Sequence, residues 1–269
     1  MAENSKKVAL VTGASSGFGK LIAETLLRDG LTVYGTSRRE RPDTASGVKM
    51  RVMDVTDVDS ITACVDGVLA EAGRIDVLVN NAGITQNSFV EETQMETARS
   101  VFETNFFGLA EATNAVLPAM RAQRSGKIIN IASLAGLIGA PGQGYYTATK
   151  HAVVGYSKAL YHEVAQFGVQ VVLLEPGFFK TEIHHNVAGQ HNAIADYDTA
   201  RPAMMQVLDE GIEQGADPQD VADVVSQVVK ANNPRLHYRV GTDAFWLPIV
   251  NRLLPQGLYN IGIRWRFKL

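Results

Sequence analysis

Cysteine is nearly absent from this chain of 269 residues, where Cys64 stands alone. It has no second cysteine to pair with, so an intrachain disulfide and a cysteine-rich metal site are excluded, which fits a reducing compartment. An excess of one charge is missing as well. With 25 Lys and Arg against 28 Asp and Glu, the net charge is −3. No basic stripe exists to neutralise phosphates, and no nucleic-acid partner is expected. No apolar run reaches the ~20 residues that a membrane-crossing helix needs. The opening "MAENSKKVALVTG" passes from polar residues straight into an apolar run, unlike a signal peptide. A cytoplasmic protein without a transmembrane segment is the expectation. His184, His185 and His191, with Glu182 the nearest acid, follow no zinc spacing, and no metal is expected. A G-x-S-x-G elbow after a strand is also lacking, since "GYSKA" around Ser157 falls inside a helical stretch.

What the chain does have is alternation. "KKVALVT", "LTVYGTS", "VKMRVMD", "IDVLVNN", "GKIINIAS", "VQVVLLEP" and a shorter, late "RLHYRVG" are brief, apolar and rich in β-branched residues. Near-continuous apolar character suits strands buried on both faces of a parallel sheet. Helical patterns lie between them, at Gly17 to Asp29, Asp57 to Ala72, Glu96 to Arg121 and Tyr145 to Phe167. This rhythm predicts an α/β fold: a single doubly wound Rossmann-type domain over 1–269, with about seven parallel strands and helices on both faces. After Thr181 the period fades, and 182–217 reads as a substrate loop or lid, ending where Asp217 caps a helix with Pro218 at its first position.

Three stretches bear chemistry. "TGASSGFG", Thr12 to Gly19, lies between a strand and a helix. Gly13, Gly17 and Gly19 let the backbone turn tightly beside a pyrophosphate whose charge meets the helix N-terminus. At the end of the next strand, where an acid would hold a ribose 2′-hydroxyl, stand Ser37 and then Arg38. A missing carboxylate and a present guanidinium favour a 2′-phosphate, hence NADP(H) over NAD(H). In "GYYTATK", Tyr146 and Lys150 share a helix face at i and i+4, whereas Tyr145 has Thr149 at that spacing. A phenol with a reference pKa of about 10 is a poor base at neutral pH, and a nearby ammonium lowers that value. Ser133, at the end of "IINIAS", is placed to hold a substrate oxygen against the phenol.

"TGASSGFG", "NNAG" at Asn80 to Gly83, Asn105 in "NFFG", Ser133, "YTATK" at Tyr146 to Lys150 and "EPGFFKTE" stand in one order. Together they resemble the motif series of the short-chain dehydrogenase/reductase family. The resemblance implies a catalytic tetrad of Asn105, Ser133, Tyr146 and Lys150. Tyr146 would be the proton donor and acceptor, and Ser133 would orient the carbonyl. Lys150 would bind the nicotinamide ribose and depress the phenol pKa, and Asn105 would support a water leading protons to the lysine. Ser133 and Tyr146 are thereby the substrate contacts. Cofactor contacts implied by the likeness are Gly13, Ser15, Gly17, Phe18, Gly19, Ser37, Arg38, Asp54, Val55, Asn81, Ala82, Gly83, Tyr146, Lys150, Pro176, Gly177, Phe179 and Thr181. Asp54 falls where the adenine is held, and Asn80 is read as a brace of the sheet. A homodimer or homotetramer joined through the two long helices is also implied.

The stretch "NNPRLHYRVGTDAFWLPIVNRLLPQGLYNIGIRWRF", which runs into the apolar extension 242–269, is similar to the C-terminal region of reductases grouped with 17β-hydroxysteroid and retinol dehydrogenases. Its residues are dense enough to cap a lipophilic pocket, cover a subunit interface or touch a membrane surface, and Pro248 and Pro255 should break any long helix. Phe178, Met204 and Met205 suggest an adaptable apolar site. The expected activity is an NADPH-dependent carbonyl reductase or alcohol dehydrogenase acting on a lipophilic small molecule. A non-catalytic NADP(H)-sensing regulator on the same fold is the alternative. A sugar-nucleotide epimerase would need a larger C-terminal part.

Overall fold

The computed structural model describes residues 6–181 and 192–269. Seven strands form one sheet: β1 (Val8–Val11), β2 (Thr32–Ser37), β3 (Lys49–Val52), β4 (Val77–Asn80), β5 (Gly126–Ile131), β6 (Val169–Pro176) and β7 (His237–Val240). Their order is β3-β2-β1-β4-β5-β6-β7, and every pairing is parallel. Each of the seven apolar runs in the sequence supplies one strand, because a strand covered on both faces has no polar side to display.

Alternation of side chains along each strand sorts the core into two layers. Ala9 and Val11 of β1 pack with Ile22 and Leu26 of α1 (Gly17–Arg28) and Val221 and Val225 of α7 (Gln219–Lys230). Val8 and Leu10 point the other way. They meet Ile61 and Val65 of α2 (Val58–Ala72), Val116 of α4 (Gly108–Gln123) and Leu160 of α5 (Gly144–Val164). Cys64 is buried in that second layer, where desolvation pushes its thiol up to about 11, as suits a packing residue.

The strand order reverses between β1 and β4, which opens a crevice outside the carboxyl ends of those strands. Thr12 closes its floor: its Oγ1 accepts from the N–H groups of Asn81 at 2.9 Å and Ala82 at 3.0 Å. Asn80 Nδ2 donates to Thr113 Oγ1 and Asn130 Oδ1, both at 2.9 Å, and so braces the sheet as the sequence suggested.

Three expectations need correction. The helical pattern Glu96 to Arg121 is two helices, α3 (Met95–Phe102) and α4, joined by a π-helical turn at Glu103–Phe107. The segment 182–217 is not a loop throughout. Residues 182–191 lie outside the described residues, but Ala200–Glu213 is a helix, α6, burying Ala200, Ala203, Met204, Val207 and Leu208 at helical spacing against Phe89 and Phe267. Pro255 separates α8 (Thr242–Leu253) from α9 (Gln256–Phe267), but Pro248 sits inside α8. Proline there forfeits one backbone bond, and Leu247 and Val250 on either side still reach an apolar cavity.

Candidate active site

The turn from β1 into α1 is built by backbone conformation. Gly13 and Gly17 have φ of +67° and +53°, and a Cβ on Gly13 would lie 2.9 Å from Ala82 Cα. Ser16, at the N-cap of α1, makes no side-chain cap, so the first-turn N–H groups have no capping side chain to satisfy them. That is a cradle for an anion. Gly13, Ser15, Gly17 and Phe18 line the crevice, but Gly19 does not. A Cβ there would meet Gly13 O at 2.3 Å, so Gly19 lets α1 pack closely against the turn.

Further along the same crevice stand Ser37, Arg38, Asp54, Val55, Asn81, Ala82, Gly83, Pro176, Gly177, Phe179 and Thr181. The Ser37 hydroxyl donates to the carbonyl of Arg39, while the Arg38 side chain is exposed at the rim. Asp54 Oδ1 accepts from Thr56 N at 3.0 Å and Thr56 Oγ1 at 2.7 Å, which sets the wall beside it. Asn81 Nδ2 is spent on Thr12 O at 2.9 Å and Gly13 O at 3.2 Å. Phe18 and Phe179 meet edge to face at 5.4 Å.

Ser133, Tyr146 and Lys150 come together on the crevice floor. β5 ends at Ile131, and Ser133 follows it in extended conformation, its Oγ accepting from Ala135 N at 3.1 Å. Tyr146 and Lys150 lie one turn apart on α5. Tyr145 is half-buried outside the crevice, with its hydroxyl 3.6 Å from Met95 Sδ. Lys150 points inward, 7% exposed, and donates from Nζ to Ile131 O at 2.9 Å. The ammonium lies 5.6 Å from the Tyr146 ring centroid. Burial pulls the lysine down to about 8. Burial also raises the Tyr146 phenol, with the neighbouring Ser133 hydroxyl working in the opposite direction. Burial thus works against the expected depression, because desolvation disfavours the charged phenolate.

Asn105 sits on the π-helical turn but does not line the crevice. Its Oδ1 accepts from Ile84 N, and its Nδ2 donates to Ile84 O, both at 2.9 Å, and to Thr149 Oγ1 at 3.3 Å. Thr149 Oγ1 in turn donates to Tyr146 O at 2.7 Å. Asn105 thus holds the segment at Ile84 against α5, and no hydrogen bond joins it to Lys150. Among the described residues no group of three or more His, Cys, Asp or Glu stands ready for a metal ion. His184, His185, His191 and Glu182 lie outside the described residues.

A second cavity, of about 500 Å³, opens from the same floor. Ser133, Gln143, Gly177 and Phe178 border both spaces. Its walls are apolar: Ile138, Val207 of α6, Leu247 and Val250 of α8, and Leu258, Ile263 and Phe267 of α9. The extension thus caps a pocket. Met204 is fully buried in the cluster behind it and lines neither space. Met205 packs beside that cluster, while Val207 and Gly211 of the same helix reach the cavity. One contributor went unread in the sequence: Asp243 Oδ2 accepts from Phe178 N at 2.6 Å and so fixes the border between the spaces. An acid in the first turn of a helix after a strand was the signal for it.

Residues 7–192 match the family of short chain dehydrogenases. A 3-ketodihydrosphingosine reductase of Bacteroides thetaiotaomicron is 39% identical over 267 residues, covering 96% of this chain and 97% of the relative. The 3-oxoacyl-[acyl-carrier-protein] reductase of Escherichia coli is 38% identical over 193 residues, with 70% and 79% covered. Among solved structures, a short-chain dehydrogenase of Streptomyces avermitilis superposes with a TM-score of 0.81 at 35% identity, over 98% of this chain and 97% of that one. A Burkholderia phymatum protein of the same kind, in complex with NAD, gives 0.81 at 27% identity over 97% of each chain. A metagenomic short-chain oxidoreductase in complex with NADP gives 0.69 at 30%, over 87% of this chain and 96% of that one.

Proposed function

The chain belongs to the short-chain dehydrogenase family, and from that membership we propose that it is an NADPH-dependent carbonyl reductase acting on a lipophilic ketone or aldehyde, or in reverse on a secondary alcohol. It is an oxidoreductase of carbonyl and CH–OH groups. One observation carries the finer reading: the dinucleotide crevice and the apolar cavity share a border at Ser133, Gln143, Gly177 and Phe178, with Tyr146 and Lys150 on the crevice side of it.

When bound, the nicotinamide dinucleotide supplies or takes the hydride. The glycine turn and the N-terminus of α1 would hold its pyrophosphate, a fit supported by the uncapped first turn and by the approach of Ala82 to Gly13. Ser133 donates a hydrogen bond to the substrate oxygen. Tyr146 gives its proton to that oxygen as the carbonyl becomes an alcohol, and its raised pKa keeps the phenol protonated at neutral pH, as an acid for reduction must be. Lys150, held by Ile131 O, stabilises the phenolate left behind, which then regains its proton from solvent.

Arg38 at the rim, with no acid at the end of β2, supports NADP(H) over NAD(H). The cavity supports an apolar substrate. A keto lipid, the kind of compound in the name of the Bacteroides relative, is a candidate beside the steroid or retinoid suggested by the tail. Residues 182–217 belong to this proposal as a substrate lid, of which α6 supplies wall residues, and so does homo-oligomerisation through α4 and α5.

The test is a panel of ketones with NADPH, run on the protein and on Tyr146→Phe. The variant should bind NADPH normally and lose about 10²- to 10⁴-fold in kcat. Retention of most activity would remove Tyr146 from its role. NADPH binding without turnover of any carbonyl would favour a sensor, and a preference for small charged or sugar substrates would refute the apolar site.

A further inference from the structure

Outside the crevice, the largest apolar side chains left in solvent are concentrated on α8 and α9. Trp265 is 80% exposed, Leu253 76% and Trp246 56%, with Phe245, Leu254, Leu258 and Ile261 beside them in the sequence and also exposed. On α9, Ile261 and Trp265 stand one turn apart on the outer face, Tyr259, Ile263 and Phe267 face the cavity, and the exposed Leu258 borders both. The helix therefore has two apolar faces, only one of which the fold covers. Charge is arranged with equal asymmetry. After Asp243 the sequence carries Arg252, Arg264, Arg266 and Lys268 and no acid, in a chain whose net charge is −3. Arg266 pairs with Glu210 Oε2 at 2.7 Å, whereas Arg252 and Arg264 are exposed and form no ion pair among the described residues.

We propose that α8 and α9 form a docking surface for an anionic lipid bilayer. Exposed tryptophans beside arginines, with no interspersed acid, have the composition of helices that lie in the headgroup region. A second copy of the chain fits this patch poorly. An isologous contact would bring together two copies of one basic patch with no acidic side chain after Asp243 on either to offset the arginines. The cavity adds the second observation. Val250, Leu254 and Leu258 line it and are also exposed, so its outer end lies within the same apolar patch. A docked protein would take its substrate from the bilayer without passing it through water. This last step rests on the reading of the site as a reductase of lipophilic carbonyls.

Sedimentation with vesicles tests the docking independently of turnover. The protein should pellet with vesicles of phosphatidylcholine and phosphatidylglycerol in equal parts, release at high salt, and stay in solution with phosphatidylcholine alone. Trp246→Glu/Trp265→Glu should partition about tenfold or more weakly. It should keep its rate on a short, water-miscible ketone, which shows that it folds, and lose rate on a long-chain ketone delivered in the mixed vesicles. No pelleting of the unaltered protein would overturn the proposal. So would light scattering that shows an oligomer which the double variant dissociates, since a second copy would then occupy the patch. Vesicle binding without reduction of any carbonyl would leave the docking standing and refute the reductase instead.

Discussion

A lysine buried beside a phenol is expensive for the fold and useful for the chemistry. The Lys150 amine, ordinarily at 10.5, is held at about 8, a gap worth about 3 kcal/mol. Because its folded value lies below its unfolded one, the penalty applies in full below about pH 8 and is relieved as pH rises toward the unfolded value. Lys150→Met abolishes that penalty but leaves Ile131 O without its donor, which costs about 1 to 3 kcal/mol. Urea unfolding at neutral pH should therefore show the variant as stable as the parent, or up to about 2 kcal/mol more so, while turnover collapses. A marked loss of stability would show that the amine is structural. In the parent, ketone reduction should decline as pH rises through about 8, where Lys150 loses its proton. A rate unchanged through that range would argue against an electrostatic role. At the rim, Arg38→Ala should weaken NADPH by about ten- to a hundredfold and leave NADH unaffected, as titration calorimetry would report. Equal losses for both dinucleotides would mean that Arg38 does not read the 2′-phosphate.

At the scale of elements, the π-helical turn Glu103–Phe107 decides where Asn105 points. One extra residue in the turn lets its amide span the chain at Ile84 and α5 at Thr149. Asn105→Ala would strand the partly buried N–H and C=O of Ile84, and should cost about 1 to 3 kcal/mol in thermal or urea unfolding. If stability were unchanged and only turnover fell, Asn105 would act on protons rather than on packing. The strands were legible because a parallel sheet demands apolar runs. The start of α7 was legible to within one residue, since Asp217 Oδ1 accepts from Gln219 N at 2.9 Å and Pro218 stands at the N-cap itself. The π-helical turn was not, because it leaves the helical spacing of Ala98, Val101 and Leu109 nearly undisturbed. Nor was α6: its buried stripe has meaning only once Phe89 and Phe267 are there to receive it.

For the molecule as a whole, two spaces with a common border set reactivity and choice of substrate apart. The crevice comes from the strand order, and the cavity from α6, α8 and α9 closing over Ser133. Filling the cavity without touching the crevice should therefore alter preference alone. Ile263→Trp should lower kcat/KM for a long-chain ketone by about ten- to a hundredfold and leave a short ketone and NADPH binding unchanged. A uniform loss across substrates would mean that the cavity is not where the substrate lies.

The sequence by itself determined the sheet, its two helical layers and the glycine turn, because local periodicity and turn chemistry encode these over a few residues each. It also placed Tyr146 and Lys150 one helical turn apart, and the family resemblance pointed to Tyr146 rather than Tyr145 as the one that enters the crevice. Only the tertiary structure decided the rest. The direction of the Tyr146 pKa depends on how completely both groups leave water, and desolvation is a property of everything packed around them. Gly19 and Asn105 stand beside the crevice rather than in it: Gly19 packs against Gly13 O and Asn81 Nδ2, and Asn105 is bonded to Ile84. The extension 242–269 became a wall of the cavity on one side and an uncovered apolar face on the other, a division that no spacing along the chain expresses.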